Sequence, residues 1–504
     1  MDAAAVRALR ADLEAARFTV DRLTALWGAA ADAALERGDR VPAVRAVAAS
    51  TDPAAVLARV FVLGLDEDAA AVAGSLPALG VAGAAELGLV ETAGSRIRPL
   101  IDLRPYAFLD ARGAGEWWIA SDLGELATGA ALRTDHVLGV GGASVTLSGL
   151  LLPGPVDTAL DLGTGCGIQA LHLAREARRV VATDISSRAL DLARLNAAVN
   201  AVTSIEFRLG SLFEPVSEER FDRIASNPPF VITPRGAGVP EYEYRDGGAV
   251  GDDLVAGIVR AAAQHLVPGG IAQLLGNWEY RATEDGLQRA LGWADDGGLE
   301  AWIIERETLD PARYAETWIR DGGTRPASPE YEPLVGAWLD DFAARAVTAV
   351  GFGYLLLRRP AGDRMLRRVE RIDASLDTGA SGLGVHLSAA LAAHDLIAPV
   401  DDAALLALHP SVAGDVTEER SHWPGAEHPT VITLRQGGGF RREVRVGTAL
   451  AAVVGACDGE LSLGAILGAV ASILDVDAAA LTAEIVPEVR ELVLGGMLIL
   501  TSGG

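Results

Sequence analysis

The chain has 504 residues, half of them hydrophobic and 22% charged, which is enough apolar material for about three packed domains and excludes a disordered tail. Its formal net charge is −25, from 68 acidic residues against 43 basic ones, all of them arginine. That balance disfavours a broad cationic surface for duplex nucleic acid, whose phosphates dominate affinity, but leaves room for a local arginine patch.

Cys166 and Cys457 lie far apart in the sequence, so neither a disulfide framework nor a cysteine zinc site is expected. The eight histidines are scattered without metal-ligand spacing, and no metal is expected. The opening MDAAAVRALRADLEAARF mixes charges at helical spacing and lacks the apolar core of a signal peptide. No run of eighteen apolar residues occurs, so the expectation is a cytoplasmic protein with no membrane span.

Residues 1–95 read as a helical module. AAAVRALRADLEAARF, DRLTALWGAAADAALERG and PAAVLARVFVLGL carry apolar residues at i, i+3 and i+4, and Thr51-Asp52-Pro53 is a capping signal. AAELGLVETAGSRIRPLIDLRPYAF then alternates around Gly94 and Arg96 like a two-stranded wing, which predicts a winged-helix-like unit; such units bind nucleic acid or proteins, and bracing a neighbour is the expected use here. Residues 96–147 are expected to be a connecting segment, in which Gly141–Ser144 reads as a glycine-rich turn before a helix. Within it, Trp117-Trp118 could stack bases, but core burial is the expected use, and His136 is expected to be packed.

From Val156 onward, short apolar runs alternate with helical stretches. VDTALDLG, RRVVATD, IEFRLG, FDRIASN and GIAQLLG predict strands, with GIQALHLAREA, SSRALDLARLNAAVN and GAVGDDLVAGIVRAAAQHL as helices between them. Residues 148–360 are therefore expected to form an α/β domain around a Rossmann-like sheet, closed by EAWIIERET and VGFGYLLLRRP as an antiparallel edge hairpin. Arg358–Arg371 follows, with six arginines against two acids. In residues 361–504, VITLRQGGGFRREVRVG predicts a hairpin with Gly437–Gly439 at its tip. ACDGELSLGAILGAVASIL and AALTAEIVPEVRELVLGGMLIL predict paired helices and a last strand, a second winged-helix-like unit.

The chemistry starts at Asp161-Leu-Gly163-Thr164-Gly165-Cys-Gly167, between the strand TALDL and the helix IQALHLA. Glycines there let the backbone turn and approach a ligand closely. A dinucleotide fingerprint needs glycine at position 168, where Ile168 stands, so an oxidoreductase is disfavoured. Asp161 would repel a pyrophosphate but can orient an ammonium group, which suits S-adenosylmethionine (SAM). Asp184, at the tip of the second strand, can accept both ribose hydroxyl hydrogen bonds; alternatively, it caps the helix beginning at Ser186-Ser187. The third strand ends in Gly210-Ser211-Leu212-Phe213, where adenine would sit with Ser211 accepting from its amine.

The fourth strand delivers Asn227-Pro228-Pro229-Phe230. Two prolines fix the backbone and remove two amide donors. The Asn227 side-chain oxygen and the Pro228 carbonyl then form an acceptor pair for the two hydrogens of one planar NH₂, and Phe230 offers a face for stacking. An amide or aryl amine nitrogen is a poor nucleophile because its lone pair is delocalised. Two acceptors can bias it towards a pyramidal geometry in line with a methyl sulfonium, without a strong base or a covalent intermediate. In isolation the motif is also an ordinary proline-rich strand exit.

Taken together, DLGTGCGIQALHLA, ATDISSRALDLARLNA, GSLFEP and NPPFV resemble class I SAM-dependent methyltransferases of the N-P-P-[FY] subgroup, in their HemK/PrmC-like form. Tyr244-Arg245-Asp246-Gly247-Gly248 and Val267-Pro268-Gly269-Gly270 add to the likeness, which covers about 132–360. The resemblance implies a SAM site at Asp161, Gly163, Thr164, Gly165, Gly167, Asp184, Ile185, Ser211, Leu212 and Asn227, and an acceptor site at Asn227, Pro228, Pro229 and Phe230. It also implies a cofactor lid within 96–147, with Gly141–Ser144 as candidate lid or carboxylate nest. It departs at Ser211, where the family often has aspartate, and in the N- and C-terminal modules, which are not those of the release-factor enzymes. The implied function is SAM-dependent N-methylation of a macromolecule, most similar to that of the protein-glutamine N5-methyltransferases, with a translation-associated protein as acceptor. The alternative acceptor is an N6-adenine or N2-guanine amine of RNA or DNA, cradled by the Arg358–Arg371 and Arg435–Arg445 clusters.

Overall fold

A computed structural model describes residues 2–129, 133, 135–235, 239, 247–362, 366–373, 376 and 382–501. The N-terminal helices, from Ala3–Ala15 to Gly80–Glu86, bury a continuous core that includes Leu9, Leu13, Phe18, Leu57 and Phe61. Asp52 caps the helix Pro53–Leu57 as its sequence suggests, its carboxylate accepting from the Ala54 N–H at 2.9 Å. The strands Val90–Ala93 and Arg96–Pro99 form the wing, and Glu67–Asp68 adds a third antiparallel strand. The expected boundary at 95/96 falls in the turn of this hairpin and must move. Every strand of this small sheet lies within residues 67–99.

The following segment is not the plain connection its position suggests. Ile101–Asp110 and Gly113–Asp122 form a long antiparallel hairpin. Trp117 is 8% exposed and packs on Phe108 and His172, while the Trp118 indole N–H donates to the Phe18 carbonyl at 2.7 Å. Both tryptophans thus hold the hairpin in place. Burial lowers the His172 pKa to about 4, so the imidazole is neutral within this aromatic cluster.

The central sheet has eight strands: β1 Val156–Leu162, β2 Ala177–Asp184, β3 Ile205–Leu209, β4 Phe221–Ser226, β5 Leu266–Arg281, β6 Glu300–Leu309, β7 Val347–Arg358 and β8 Arg367–Arg371. Their order is β3-β2-β1-β4-β5-β7-β6-β8. β1 to β5 pair in parallel, and the central ones, β1, β4 and β5, are apolar runs buried along most of their length. β7 is antiparallel to both β5 and β6 and lies between them, so it is not the sheet's edge. β8, drawn from the basic stretch, runs parallel to β6 and takes the edge.

The helices used below are α1 Gly142–Leu150, α2 Ile168–Leu173, α3 Ser187–Val199, α4 Asp253–Ala262, α5 Gly286–Gly297, α6 Pro311–Asp321 and α7 Tyr331–Ala344. α3 carries the hairpin: Asn196 accepts from the Ala120 N–H at 2.7 Å and donates to the Ala120 and Cys166 carbonyls, and Asn200 exchanges hydrogen bonds with the Trp118 backbone. α4 and α5 cover one face of the sheet, their buried residues sharing a core with Leu160, Ile224 and Leu274.

Beyond β8, the strands Val431–Gln436 and Glu443–Val446 pair as expected, and Leu463–Leu474 and Ala478–Leu494 form the two helices. Phe440, at the hairpin tip, is fully buried against Trp302 of β6, which fastens this module to the sheet. Among the described residues, no single helix is long and apolar enough to cross a membrane.

Most arginines of the two clusters pair within the chain. Arg358 pairs with Glu300 and, at 2.7 Å, with Asp395; Arg367 pairs with Asp295, Arg368 with Glu370 and Glu491, and Arg371 with Glu305. Arg359 donates to the Leu266 carbonyl, Arg435 pairs with Glu419 and Glu443, and Arg442 with Glu370. Arg364 lies outside the described residues. Acidic side chains thus pair with Arg358, Arg367, Arg368, Arg371, Arg435 and Arg442, and the Arg368–Glu491 and Arg442–Glu370 pairs link β8 to the last module.

Candidate active site

Strand order reverses between β1, whose crossover leads to β2, and β4 on its other side. A crevice at the carboxyl ends of the strands opens at such a switch point. The D-x-G-x-G-x-G loop leaves β1 there. Gly163, Gly165 and Gly167 have φ of 75°, 54° and 87°. An added Cβ at 163 or 165 would meet nothing within 4 Å, whereas at 167 it would sit 3.0 Å from Ala193 of α3. The first two glycines thus leave the loop's surface open, and the third lets α3 approach. The Gly163 and Thr164 N–H groups both donate to the Thr183 carbonyl at 2.9 Å, stitching the loop to β2.

Asp161 is 1% exposed. Its Oδ2 accepts from the Thr164 hydroxyl and the Ala170 N–H, while its Oδ1 is buried without a partner. Burial pushes its pKa up to about 7, opposed by the Thr164 and Ala170 hydrogen bonds and aided by the charge of Asp184. Asp184 Oδ2 accepts from the Gly165 N–H and Oδ1 from the Ser186 N–H, both at 2.9 Å. Burial raises its pKa and those two donors oppose the rise. The cap of α3 is Ser186, which accepts from Ala189 N–H, so Asp184 clamps the glycine loop instead. Each of its oxygens retains a lone pair for a further donor.

Around this carboxylate, the ends of β2 and β3 leave apolar side chains in water. Ile185 is 59% exposed and Leu212 38%, the latter held at φ 46° next to Gly210, where a Cβ would lie 2.5 Å from Pro215. Ser211 is exposed beside them. Two bare aliphatic faces near a carboxylate with free lone pairs suit a flat base joined to a diol.

The fourth strand end is tied to the first: the Ser226 hydroxyl donates to the Leu162 carbonyl at 2.7 Å. Asn227 follows, with Oδ1 buried and without a partner among the described residues. Pro228 is buried, Pro229 and Phe230 are half-buried, and the Phe230 ring lies 5.4 Å from Phe352 and 6.3 Å from Trp318. Buried polar atoms are seldom left unpaired. Asp161 Oδ1, Thr183 Oγ1, Gln169 Oε1 and Asn227 Oδ1 are all in that state, on the ends of β1, β2 and β4 and the first turn of α2. That concentration of orphaned atoms, with the open glycines, fits a polar nucleoside ligand carrying N–H and O–H donors.

Gln169 has no place in the sequence-based site. Its amide donates to the Ser144 carbonyl at 2.7 Å, tying the first turn of α1 to the first turn of α2. The signal was present: one amide in an otherwise apolar helix start. Gly141 precedes α1 without a side-chain cap, and neither Gly141 nor Gly142 has an atom near an added Cβ. His136 is buried, as expected for a packed residue. Tyr244, Arg245 and Asp246 lie outside the described residues.

Comparison with known proteins locates a methyltransferase small domain at residues 142–295. Residues 15–100 and 357–500 each match a separate domain of unknown function. The release factor glutamine methyltransferase of Geobacter sulfurreducens is 42% identical over 120 residues, 22% of this chain and 42% of that protein. That of Xylella fastidiosa is 37% identical over 140 residues, 26% of this chain and 51% of the relative. The ribosomal protein uL3 glutamine methyltransferase of Bradyrhizobium diazoefficiens is 33% identical over 171 residues, 31% of this chain and 53% of the relative. The chain thus spans about half the length of these curated relatives.

Proposed function

Since residues 142–295 are a class I methyltransferase domain of the HemK/PrmC-like kind, we propose that this chain transfers a methyl group from SAM to the side-chain amide of a protein glutamine. The observation that carries the reading is Asn227 Oδ1, a buried acceptor with no partner among the described residues, at the exit of the strand beside the glycine loop. SAM supplies an electrophilic methyl group on a sulfonium. Asp184 accepts from the ribose hydroxyls, Ile185 and Leu212 flank the adenine, Ser211 accepts from its amine, and Gly163, Thr164, Gly165 and Gly167 shape the loop beneath. Asp161 faces the ammonium end.

Asn227 Oδ1 and the Pro228 carbonyl accept the two N–H bonds of the acceptor amide, and Phe230 packs against its plane. This grip draws the nitrogen lone pair out of conjugation and aims it at the methyl carbon. Bound SAM would supply the methyl as its S–C bond breaks to leave a thioether, and the amide nitrogen held by Asn227 and Pro228 would form the N–C bond and lose its proton to water. Support for a protein over a nucleic acid acceptor comes from the ion-paired arginines and the net charge of −25. The same reading puts the chain with the translation machinery in the cytoplasm; Cys166 and Cys457, both buried free thiols, accord with a reducing compartment.

The test is incubation of the chain with methyl-tritiated SAM and a desalted cell lysate, followed by protease or nuclease. Label that survives nuclease, disappears with protease and is recovered as N5-methylglutamine is the expected result. Label lost to nuclease would assign the acceptor to RNA or DNA.

Cofactor binding should depend on pH through Asp161. Its carboxyl, at about 7 in the folded chain against 3.8 as the ordinary value, is neutral below that point and ionised above it. The folded form therefore binds more protons than the unfolded form between these values, and burial costs stability progressively as pH rises across that window. The ionised form attracts the ammonium group of SAM. Affinity measured by calorimetry is expected to strengthen by up to about tenfold from roughly pH 6 to 8. Asp161→Asn should flatten that profile; a profile unchanged by the substitution would remove Asp161 from the ammonium site.

A further inference from the structure

Between β6 and β7 the chain makes a two-helix excursion, α6 and α7, and returns to the candidate site. Asp310 starts α6 by accepting from the Ala312 and Arg313 N–H groups at 3.0 Å, with Pro311 in the first turn. Tyr314, Ala315 and Ile319 form its buried face, and the Tyr314 ring packs 5.9 Å from Trp338 and 5.8 Å from Phe342 of α7. Tyr314 is 2% exposed, yet its hydroxyl accepts from two groups outside the excursion: the Ile232 N–H at 3.1 Å and the Asn277 amide at 2.5 Å.

Both partners border the acceptor loop. Ile232 is two residues beyond Phe230. Asn277, 1% exposed on β5, lies three residues past Leu274, which pairs in register with Ser226, the residue before Asn227. Asn277 also pairs across β5–β7 with Phe352, whose ring lies against Phe230, and Trp318 of α6 lies on the same ring. The Asn277 Oδ1 is buried without a partner. The two prolines of the loop have no N–H to pin their own backbone, so the Ile232 N–H becomes an early tether after the turn.

We propose that Tyr314 is a positioning residue of the acceptor site: with Asn277 it anchors the exit of the Asn227–Phe230 loop, so that α6 and α7 set where the amide clamp points. This rests on the methyltransferase reading above. The excursion contributes a tyrosine hydroxyl to the loop's exit and a tryptophan to the wall beside Phe230, while the glycine loop on β1 and β2 is held by separate contacts. A displaced clamp should therefore cost turnover and spare cofactor binding, since a 1 Å misplacement of reacting groups is worth about 10²-fold.

The experiment uses Tyr314→Phe, Asn277→Ala and the double variant of the full chain, with methyl-tritiated SAM and nuclease-treated lysate protein as acceptor. Each single variant is expected to lose tenfold or more in maximal rate, with the KM for SAM within twofold of the parent. The double variant should lose no more than the worse single one, because the two residues act as one tether. Losses that multiply, or a fall in rate matched by a rise in the KM for SAM, would overturn the proposal. Hydrogen exchange provides a readout that needs no turnover: residues 227–233 should exchange at least tenfold faster in Tyr314→Phe, with 156–190 unchanged. Unaltered exchange at 227–233 overturns the anchor even if the parent transfers no label, and a parent that transfers no label to protein overturns the glutamine reading alone.

Discussion

Replacing Asn227 by alanine is expected to lower methyl transfer by about a thousandfold, the upper range for loss of one preorganised group that acts on a transition state. The dissociation constant for SAM should stay within about threefold, because the side chain contributes to the acceptor and not to the adenosine. Stability should move the other way. Asn227 Oδ1 is buried with no partner, and a buried polar atom without a hydrogen bond carries a desolvation cost of about 1–3 kcal/mol. Its removal should leave the melting temperature unchanged or raised. An asparagine kept only to make the turn would show the reverse, with melting lowered and transfer retained. Single-turnover rates and thermal melting of the same variant decide between the two.

Asp184→Ala is expected to weaken SAM binding by about a hundredfold while leaving the fold intact. Two effects add. The ribose loses its acceptor, which at hydrogen bonds to a charged group of about 1.5–3 kcal/mol accounts for most of that factor. The Gly165 and Ser186 N–H groups also lose theirs, so the glycine loop is no longer clamped to the end of β2. Asp184→Asn separates these effects, since its remaining carbonyl can hold one of the two amides. Affinity unchanged by calorimetry in Asp184→Ala would reduce this carboxylate to a backbone clamp.

The two residues also show what was legible in the sequence. Asp184 and Asn227 end strands whose apolar runs are short, contiguous and bounded by loops, and each motif sits within a few residues of the strand that presents it. Local pattern was sufficient there. It failed where partners are remote. The hairpin Ile101–Asp122 packs on α3 through Asn196 and Asn200, more than seventy residues away, and nothing in its own pattern announces that contact. Arg358–Arg371 reads as a basic patch because Asp285, Asp295, Glu300, Glu305, Asp395 and Glu491, which neutralise its arginines, lie elsewhere in the chain. The position of β7 between β5 and β6 is a matter of sheet order, which strand pattern alone does not encode.

Gln169 and Tyr314 are illegible in the sequence for a related reason. Each sits in a helix whose periodicity explains its burial, so neither stands out until its hydrogen bond is seen to end on a loop of the site. From the sequence, Asp184 can serve as a ribose ligand or a helix cap; Ser186 provides the cap, and the Asp184 carboxylate accepts from the Gly165 and Ser186 N–H groups with lone pairs left for further donors.

A crystal structure of the full chain bound to S-adenosylhomocysteine tests the central claim most directly. The account predicts ribose hydroxyls within hydrogen-bonding distance of Asp184, the base between Ile185 and Leu212, and the thioether sulfur on the side of the crevice where Asn227 Oδ1 stands. A ligand seated away from the glycine loop, or a sulfur separated from Asn227 by intervening protein, would contradict it.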